Sequence, residues 1–281
     1  MDSLAHFTPN QLLTIFCVFD DLIMYLFKDT THTVGRPKDI SLSEAATMCL
    51  IKSSYAIQPL KQLHHLLTDR FSSEFKLPVY KNFVETMNAC TPYFLILIHL
   101  LLQIRNKYSG IIRIMDSTAV PVCKNIRIKS HKVMKRIATR YKTTTGYFYG
   151  LKLHAVSDQN GNLLGFKFTT ANVDDRKVLD EFLTLVQKIL MITDAGYISK
   201  RLEKKAQDNG SVLLTVPRKT MKKLVTPLHI ALLNLRINIE HLFSVLKERF
   251  GLISSLPRSE HGYFAHYTRV IFGYLFISLI S

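Results

Sequence analysis

The stretch FYGLKLHAVSDQNGNLLGFKFTT, residues 148–170, decides the fold class of this chain. It contains two apolar runs, Phe148–Val156 and Leu163–Thr170, each of a length typical of a β-strand. Between them lies the short polar segment Asp158–Gly161, whose composition favours a tight chain reversal. We therefore predict a β-hairpin at this position and a sheet in the C-terminal part of the chain.

Further short apolar runs extend the predicted sheet on both sides of this hairpin. Ile111–Met115 is followed at once by Asp116, Leu190–Thr193 by Asp194, and Val212–Val216 comes after a glycine. Helices are predicted over Asp174–Leu190, Ser199–Asp208, Pro227 to about Arg249, and the C-terminus. This order of strands and helices resembles that of the ribonuclease-H-like fold, an α/β fold with a mixed five-stranded sheet flanked by helices. The fold class by itself fixes no function.

The first part of the chain is predicted to be entirely helical. Thr8 and Ser41 are each followed three residues later by Gln or Glu, the pattern of a capping box at a helix start. Additional helices are predicted over Ile57–Leu67 and from about Lys81 to Arg105. We therefore predict two domains, an all-α domain over residues 1–108 and the α/β domain over residues 109–281.

The charge of the chain points to a polyanionic partner. Its formal net charge is +16 and its pI is about 9.7, so nucleic acid is the first candidate and an anionic membrane surface the second. A simple gain in solubility is the alternative explanation. The oily segments Pro92–Leu102 and Val270–Ile280 are shorter than a membrane span, so core helices and a soluble protein without a membrane partner are expected. The scattered cysteines form no Cys-x-x-Cys pair, which argues against structural zinc.

Three acidic residues occupy positions from which they could bind metal ions together. Asp116 and Asp194 each follow a predicted strand, so they should lie at one edge of the sheet if these strands are neighbours. Glu240 lies in the long helix after Pro227. Carboxylate oxygens suit Mg²⁺, and two such ions are the usual catalysts of phosphoryl transfer on DNA. Taken singly, an Asp directly after a strand is more often a turn former or a helix cap than a metal ligand.

A basic–acidic–basic row is predicted on the helix that carries Glu240. Arg236, Glu240 and Lys247 are spaced so that they fall within about 40° of one another on a helix surface. On spacing alone, an ordinary salt bridge between Arg236 and Glu240, with a solvated Lys247, is the better explanation, because such pairs are common.

The segment from Ser117 to Tyr147 contains eight basic residues and no acidic one, which favours contact with DNA phosphates over a merely solvated loop. These residues are Lys124, Arg127, Lys129, Lys132, Lys135, Arg136, Arg140 and Lys142. A shorter basic turn, Gly35–Lys38, contains Arg36. A turn of this kind can enter a DNA minor groove, but more often it is merely a solvated loop.

Several motifs in one order give the chain a family resemblance. They are Met115–Thr118 (MDST), Val120–Cys123 (VPVC), Gly150-x-Lys152-x-His154, Ala171–Arg176 (ANVDDR), Thr193–Tyr197 (TDAGY) and Arg236-x3-Glu240-x6-Lys247. With Gly35–Pro37 and Ser41–Glu44 in the N-terminal part, the chain resembles bacterial insertion-sequence transposases with an Asp-Asp-Glu triad, most of all insertion sequence family 982. Related transposases often have a tyrosine three residues before the arginine, where this chain has Leu233.

The resemblance implies a function for each part of the chain. Asp116, Asp194 and Glu240 would be the catalytic residues and would bind two Mg²⁺ ions, for which Mn²⁺ would substitute. Arg236 and Lys247 would hold DNA near the cut, and the helical domain would bind the terminal repeats of the element. The expected reaction is cleavage at the element ends and transfer of the 3′-hydroxyl into target DNA. The partner would be double-stranded DNA, bound by a homodimer in the bacterial cytoplasm at the nucleoid.

Two other functions are compatible with the same motifs. An inactive transposase remnant that only binds DNA would retain end binding without cleavage. A stand-alone nuclease on the same fold would hydrolyse DNA without preferring element ends. Among the neighbouring polar residues, His154 is expected to be structural, Asp174 and Asp175 to cap a helix, and Asn172 to support the site indirectly.

Overall fold

The computed structural model of the chain describes residues 7–28, 39–143, 146–217 and 226–280. Arg36 and the rest of the Gly35–Lys38 turn lie outside the described residues. By compactness the chain divides into two units. One consists of residues up to 100 with 246–252 and 256–281, and the other of residues 101–245 with 253–255. The last helix therefore groups with the N-terminal helices, whereas the sequence assigned it to the second domain; the domain boundary at residue 108 stays a prediction.

Five helices form the N-terminal part, as the sequence predicts in outline. They are Pro9–Phe27 (α1), Leu42–Ser54 (α2), Leu60–Arg70 (α3), Tyr80–Ala89 (α4) and Thr91–Tyr108 (α5). The predicted capping boxes at Thr8 and Ser41 are both present. The single helix predicted from about Lys81 to Arg105 is wrong: α4 and α5 meet at a 44° bend. Pro92 explains the break, because it lacks an N–H and its ring clashes with the preceding turn.

The helical unit has an aromatic core that includes α10, the helix Glu260–Ile280. Phe272 of α10 is fully buried, with its ring centroid 4.9 Å from that of Phe94 and 5.8 Å from that of Phe19. Buried polar groups sit in the same unit. Arg269 donates to the Asn88 side chain at 2.9 Å, which satisfies part of a charge that burial would otherwise penalise.

By length and hydropathy alone, the Asn10–Phe27 stretch of α1 could cross a membrane, and so could α4 and α5 taken together. Only 22% of the α1 stretch is buried. Such helices are weak evidence for a membrane span, since the core helices of soluble proteins can have the same length and hydropathy.

The second unit is built on a six-stranded mixed sheet. Its strands are Ile112–Pro121 (β1), Thr139–Thr143 (β2), Gly146–Ser157 (β3), Leu163–Thr170 (β4), Leu190–Thr193 (β5) and Val212–Thr215 (β6). The helices around it are Asp175–Leu185 (α6), Lys200–Asp208 (α7), Pro227–Asn234 (α8) and Ile237–Ser244 (α9). The predicted hairpin is confirmed as β3 and β4, with Gly161 at a φ of 84° in the turn.

The strand order gives the predicted fold. β3 pairs antiparallel with β1 on one edge and with β2 and then β4 along the other, while β5 runs parallel to β1 and β6 parallel to β5. Without β2 the order β4-β3-β1-β5-β6 is that of the ribonuclease-H-like fold, which confirms the predicted class. The sixth strand was not predicted, because β2 lies inside the basic segment and lacks an apolar run.

Two elements around the acidic residues differ from the prediction. β1 does not end before Asp116 but continues through it to Pro121, because each residue from Ile114 onward is paired with β3. The single helix predicted from Pro227 to about Arg249 is wrong as well. It consists of α8, α9 and a π-helical turn, Val245–Arg249, with Arg236 at the junction between the two α-helices.

One face of the sheet is covered by α6 and α7. Met115 and Val156 pack there against Val178 and Leu183 of α6 and Leu202 of α7. Because side chains alternate along a strand, Asp116 points to the opposite face from Met115. Close packing of β1 on β3 also requires a glycine, since a Cβ on Gly150 would lie 2.2 Å from the Val120 carbonyl oxygen.

Candidate active site

Strand pairing places Asp116 and Asp194 side by side. β1 and β5 are parallel neighbours with Ile114 opposite Ile192, and each aspartate lies two residues further along its strand direction. Two residues restore the same face of the sheet, so both carboxylates are directed to one side. The prediction that these strands are neighbours is confirmed, although Asp116 comes from the middle of its strand.

The third acid, Glu240, lies on α9, and Arg236 contacts it as well as both aspartates. The Arg236 guanidinium lies 3.4 Å from Asp116 Oδ2, 3.3 Å from Asp194 Oδ1 and 3.8 Å from Glu240 Oε1. The Arg236 side chain is 17% exposed and that of Asp116 20%, whereas those of Asp194 and Glu240 are 49% and 61% exposed. The three predicted catalytic carboxylates therefore surround one cation from the protein itself.

The spacing Arg236–Glu240 was predicted to place both residues on one continuous helix face. The i, i+4 ion pair does form, but across the start of α9 and not within a long helix. At the junction Arg236 also reaches both aspartates, which a surface salt bridge would not do. Lys247, the third member of the predicted row, lies in the π-helical turn and belongs to the other compact unit.

Burial controls the ionisation of Asp116. It raises the pKa of this carboxyl to about 6, against the opposing effects of the Ser117 backbone N–H, which donates to Oδ1 at 2.8 Å, and of Arg236. The nearby negative charge of Asp194 raises the pKa further. A carboxyl in this situation gains much from a close cation, because the ionised form is otherwise poorly solvated.

Among the described residues, no group of three or more His, Cys, Asp or Glu side chains is arranged so that it could hold a metal ion directly. The carboxylates of Asp116, Asp194 and Glu240 are spread around the guanidinium of Arg236 instead. Their oxygens nonetheless form the donor set that a hard divalent cation prefers, and they already converge on a cationic group. The residues therefore fit a metal in their chemistry, and Arg236 lies between them.

A second polar cluster lies on the other face of β3. Lys152 donates to Asp175 Oδ1 at 2.9 Å and to the Val173 carbonyl oxygen at 2.9 Å. His154 is fully buried; its Nδ1 is 3.7 Å from Asp175 Oδ1 and its Nε2 is 2.9 Å from Thr169 Oγ1. Burial lowers the pKa of His154, so the ring is neutral at pH 7.

This cluster supports a structural role for His154, as the sequence predicted. Asp174 caps α6, as expected, by accepting from the Arg176 N–H at 3.0 Å. The role of Asp175 as the acidic partner of Lys152 was missed. The signal was available in principle, since a lysine on a buried strand requires a carboxylate partner. Asn172 accepts from Thr139 and Thr170, which links β2 to the end of β4. Its expected support of the carboxylate site stays a prediction.

The basic segment after β1 lies on the surface. All eight predicted DNA-binding residues in it are exposed: Lys124, Arg127, Lys129, Lys132, Lys135, Arg136, Arg140 and Lys142. Two of them lie over an exposed aromatic ring, with Arg140 at 4.5 Å and Lys142 at 5.7 Å from the centroid of Tyr147. No ion pair to a carboxylate involves any of the eight within the described ranges, so their charges are available to an anionic partner.

Comparison with solved structures returns transposases at low similarity. A piggyBac transposase synaptic complex with hairpin DNA is 11% identical over 95% of this chain and 67% of that chain, with a TM-score of 0.43. The Mos1 strand transfer complex is 11% identical over 96% of both chains, with a TM-score of 0.26, and a mariner Mos1 paired end complex with Mg is 13% identical over 92% and 85%, with a TM-score of 0.29. Similarity at this level carries no argument about function. No curated protein matches the chain.

The sequence itself matches a protein family. The family described as "Transposase DDE domain" matches residues 105–260, a range that contains β1, β5 and α9 with their three carboxylates. This match covers more than half of the chain, which therefore belongs to the transposase family defined by the DDE domain.

Proposed function

We propose that this protein cuts DNA at the ends of an insertion sequence and transfers the liberated 3′-hydroxyl into target DNA, as a relative of insertion sequence family 982. The observation that carries the proposal is the convergence of Asp116, Asp194 and Glu240, from three separate elements, on one cationic centre. A protein that only binds DNA has no need for three carboxylates at one point, because they repel phosphate.

Asp116, Asp194 and Glu240 would hold two Mg²⁺ ions, or Mn²⁺ in their place. Such ions stabilise both the attacking and the leaving oxygen in phosphoryl transfer. The protein contributes a fixed frame for the carboxylates: Asp116 within a central strand, Asp194 directly after its parallel neighbour, and Glu240 on a helix. No side-chain nucleophile is required, because the attacking groups are water and the 3′-hydroxyl of DNA.

The exposed basic segment would bind the DNA backbone beside this site. Its eight cations, with Arg236, would neutralise phosphates and position the scissile bond. The helical unit would recognise the terminal repeats, and Arg36 and Lys247 would contact the DNA. Because two ends must be joined, we propose a homodimer on double-stranded DNA, acting at the bacterial nucleoid in the cytoplasm.

The test is cleavage of labelled DNA that carries the element's own terminal repeats, with Mg²⁺ or Mn²⁺. Wild type should nick at the ends and join the 3′-hydroxyl to a target, and Asp194→Asn should lower the rate by at least about a thousandfold. Asp208→Asn is the matched control, because it removes the same charge from an exposed position on α7.

Each other result selects a different function. End binding without cleavage by wild type would indicate an inactive remnant that acts as a DNA-binding protein. Hydrolysis that ignores the ends and gives no joined product would indicate a nuclease. Equal loss of activity in Asp194→Asn and Asp208→Asn would contradict the assignment of the carboxylates.

A further inference from the structure

Arg236 lies where the three candidate metal ligands meet. Its guanidinium is within 3.3–3.8 Å of an oxygen of Asp116, Asp194 and Glu240, and the side chain is mostly buried. Three carboxylates at one place repel one another strongly when only partly solvated, so a cation among them stabilises their arrangement. Arg236 supplies such a cation from within the protein.

The Arg236 guanidinium is held by electrostatic attraction and not by short hydrogen bonds. Charge-assisted hydrogen bonds between guanidinium and carboxylate are usually about 2.7–2.9 Å long, and all three contacts here are longer. The buried Nε atom of Arg236 has no hydrogen-bond partner among the described residues. An arginine that is buried with incomplete hydrogen bonding is easier to displace than one held by a bidentate pair.

Divalent ions and this guanidinium compete for the same charges. Two divalent cations would more than balance the three carboxylates, so Arg236 would then be repelled from the site. Its natural new partner is a DNA phosphate, for which the planar guanidinium is well suited. The position of Arg236 at the α8–α9 junction, and not inside a helix, leaves its side chain directed at the site from a chain turn.

We propose that Arg236 is an exchangeable counter-ion that couples metal loading to DNA binding. Without DNA it occupies the space between the carboxylates and weakens the binding of divalent ions; with DNA it moves to a phosphate, and the ions bind. The protein would thereby keep its cleavage chemistry inactive until DNA is in place. This inference rests on the proposed function, since it assigns a regulation to the same site.

The test measures Mn²⁺ binding by the full chain, from the loss of the electron paramagnetic resonance signal of free Mn²⁺. Arg236→Gln should bind Mn²⁺ about tenfold more tightly than wild type without DNA, a typical size for such coupling. Adding an arbitrary-sequence duplex, with a DNA-only blank subtracted, should raise the affinity of wild type and leave that of Arg236→Gln nearly unchanged.

Two further variants test whether poor folding, or the loss of any arginine, explains the change in Mn²⁺ affinity. Arg236→Lys keeps one charge but loses the planar fork, so its Mn²⁺ affinity should fall between those of wild type and Arg236→Gln, even if the latter is poorly folded. Arg201→Gln removes an exposed arginine that pairs with Asp180 on α6, and it should bind Mn²⁺ as wild type does.

The outcomes separate this inference from the proposed function. If neither Arg236→Gln nor Arg236→Lys binds Mn²⁺ more tightly than wild type does, the counter-ion role is wrong. The metal site would still stand if Asp194→Asn, added to each protein, abolished that binding. If Asp194→Asn leaves Mn²⁺ binding unchanged in wild type and in both Arg236 variants, the metal site and the counter-ion role are both wrong.

Discussion

At the scale of single residues, the buried His266 makes the stability of the folded protein depend on pH. His266 in α10 is buried in the helical unit, and its Nε2 donates to the Gly251 carbonyl oxygen at 2.9 Å. Burial, together with the nearby positive charges of Lys52 and Arg269, lowers the pKa of His266 to about 3. The ring therefore stays neutral in the folded protein at pH values where it is protonated in the unfolded chain.

This difference predicts acid destabilisation. Because the folded pKa is below the unfolded value of about 6.5, the full stability is present above pH 6.5 and is lost as the pH falls towards 3. From pH 7 to pH 5, this one group should lower the free energy of unfolding by about 2 kcal/mol. Urea unfolding of wild type and of His266→Gln at both pH values measures the effect.

His266→Gln keeps a donor for the Gly251 carbonyl oxygen but cannot titrate in this range. Its unfolding free energy should consequently fall by about 2 kcal/mol less than that of wild type between pH 7 and pH 5. Parallel decreases in the two proteins would contradict the buried neutral state of His266.

At the residue scale the sequence identified the three candidate acids, but it did not place Arg236 between them. The identities and order of Asp116, Asp194 and Glu240 were visible in the motifs. The helix spacing suggested only an ordinary salt bridge for Arg236. Its contacts with both aspartates depend on the end of α8 and on strand pairing, which are distant in sequence.

At the scale of elements, the β2–β3 pair carries exposed positive charge. Arg140 and Lys142 of β2 lie over the Tyr147 ring of β3, and β3 pairs directly with the strand that holds Asp116. A strand fixes its side chains more firmly than a loop does, so these two cations are presented at defined positions. Fixed cations of this kind are suited to bind successive phosphates.

We predict that the double variant Arg140→Gln, Lys142→Gln binds DNA more weakly and with less dependence on salt. Each lost phosphate contact should lower the slope of log affinity against log salt concentration by about 0.9, so the pair should lower it by about 2. Fluorescence anisotropy with a labelled duplex at several salt concentrations measures the slope.

The matched control for this prediction is Arg201→Gln, Lys204→Gln on α7, which removes the same charge from exposed positions. It should leave the slope within about half a unit of the wild-type value. An equal fall of the slope in both double variants would mean that DNA binding depends on the total charge of the protein and not on the two cations of β2.

At the scale of the whole molecule, each compact unit has its own core. In the helical unit, Phe272 of α10 stacks on Phe94 of α5, with an angle of 16° between the rings. In the sheet unit, Met115, Val156 and Leu202 belong to a separate apolar cluster. The C-terminal helix is therefore required for the core that the N-terminal helices build.

Phe272→Ala should destabilise the helical unit by about 3–5 kcal/mol, because it leaves a cavity in a fully buried aromatic cluster. Hydrogen–deuterium exchange should become faster in α1, α2 and α10 and should change little in β1 and β3. Phe264→Ala, at a partly exposed position of the same helix, serves as the control and should have little effect. Equally faster exchange in the sheet would show that the two units do not unfold separately.

The sequence by itself determined the class of fold, the two capping boxes, the β3–β4 hairpin and the three candidate carboxylates. These features follow from local signals: apolar periodicity, cap residues and turn composition act within a few positions. The tertiary structure alone decided the length of β1, the existence of β2, the break between α8 and α9 and the grouping of α10 with the N-terminal helices. Each of these depends on pairing or packing between distant segments. The position of Arg236 between the three carboxylates has the same cause, because they come from segments that are far apart in the sequence.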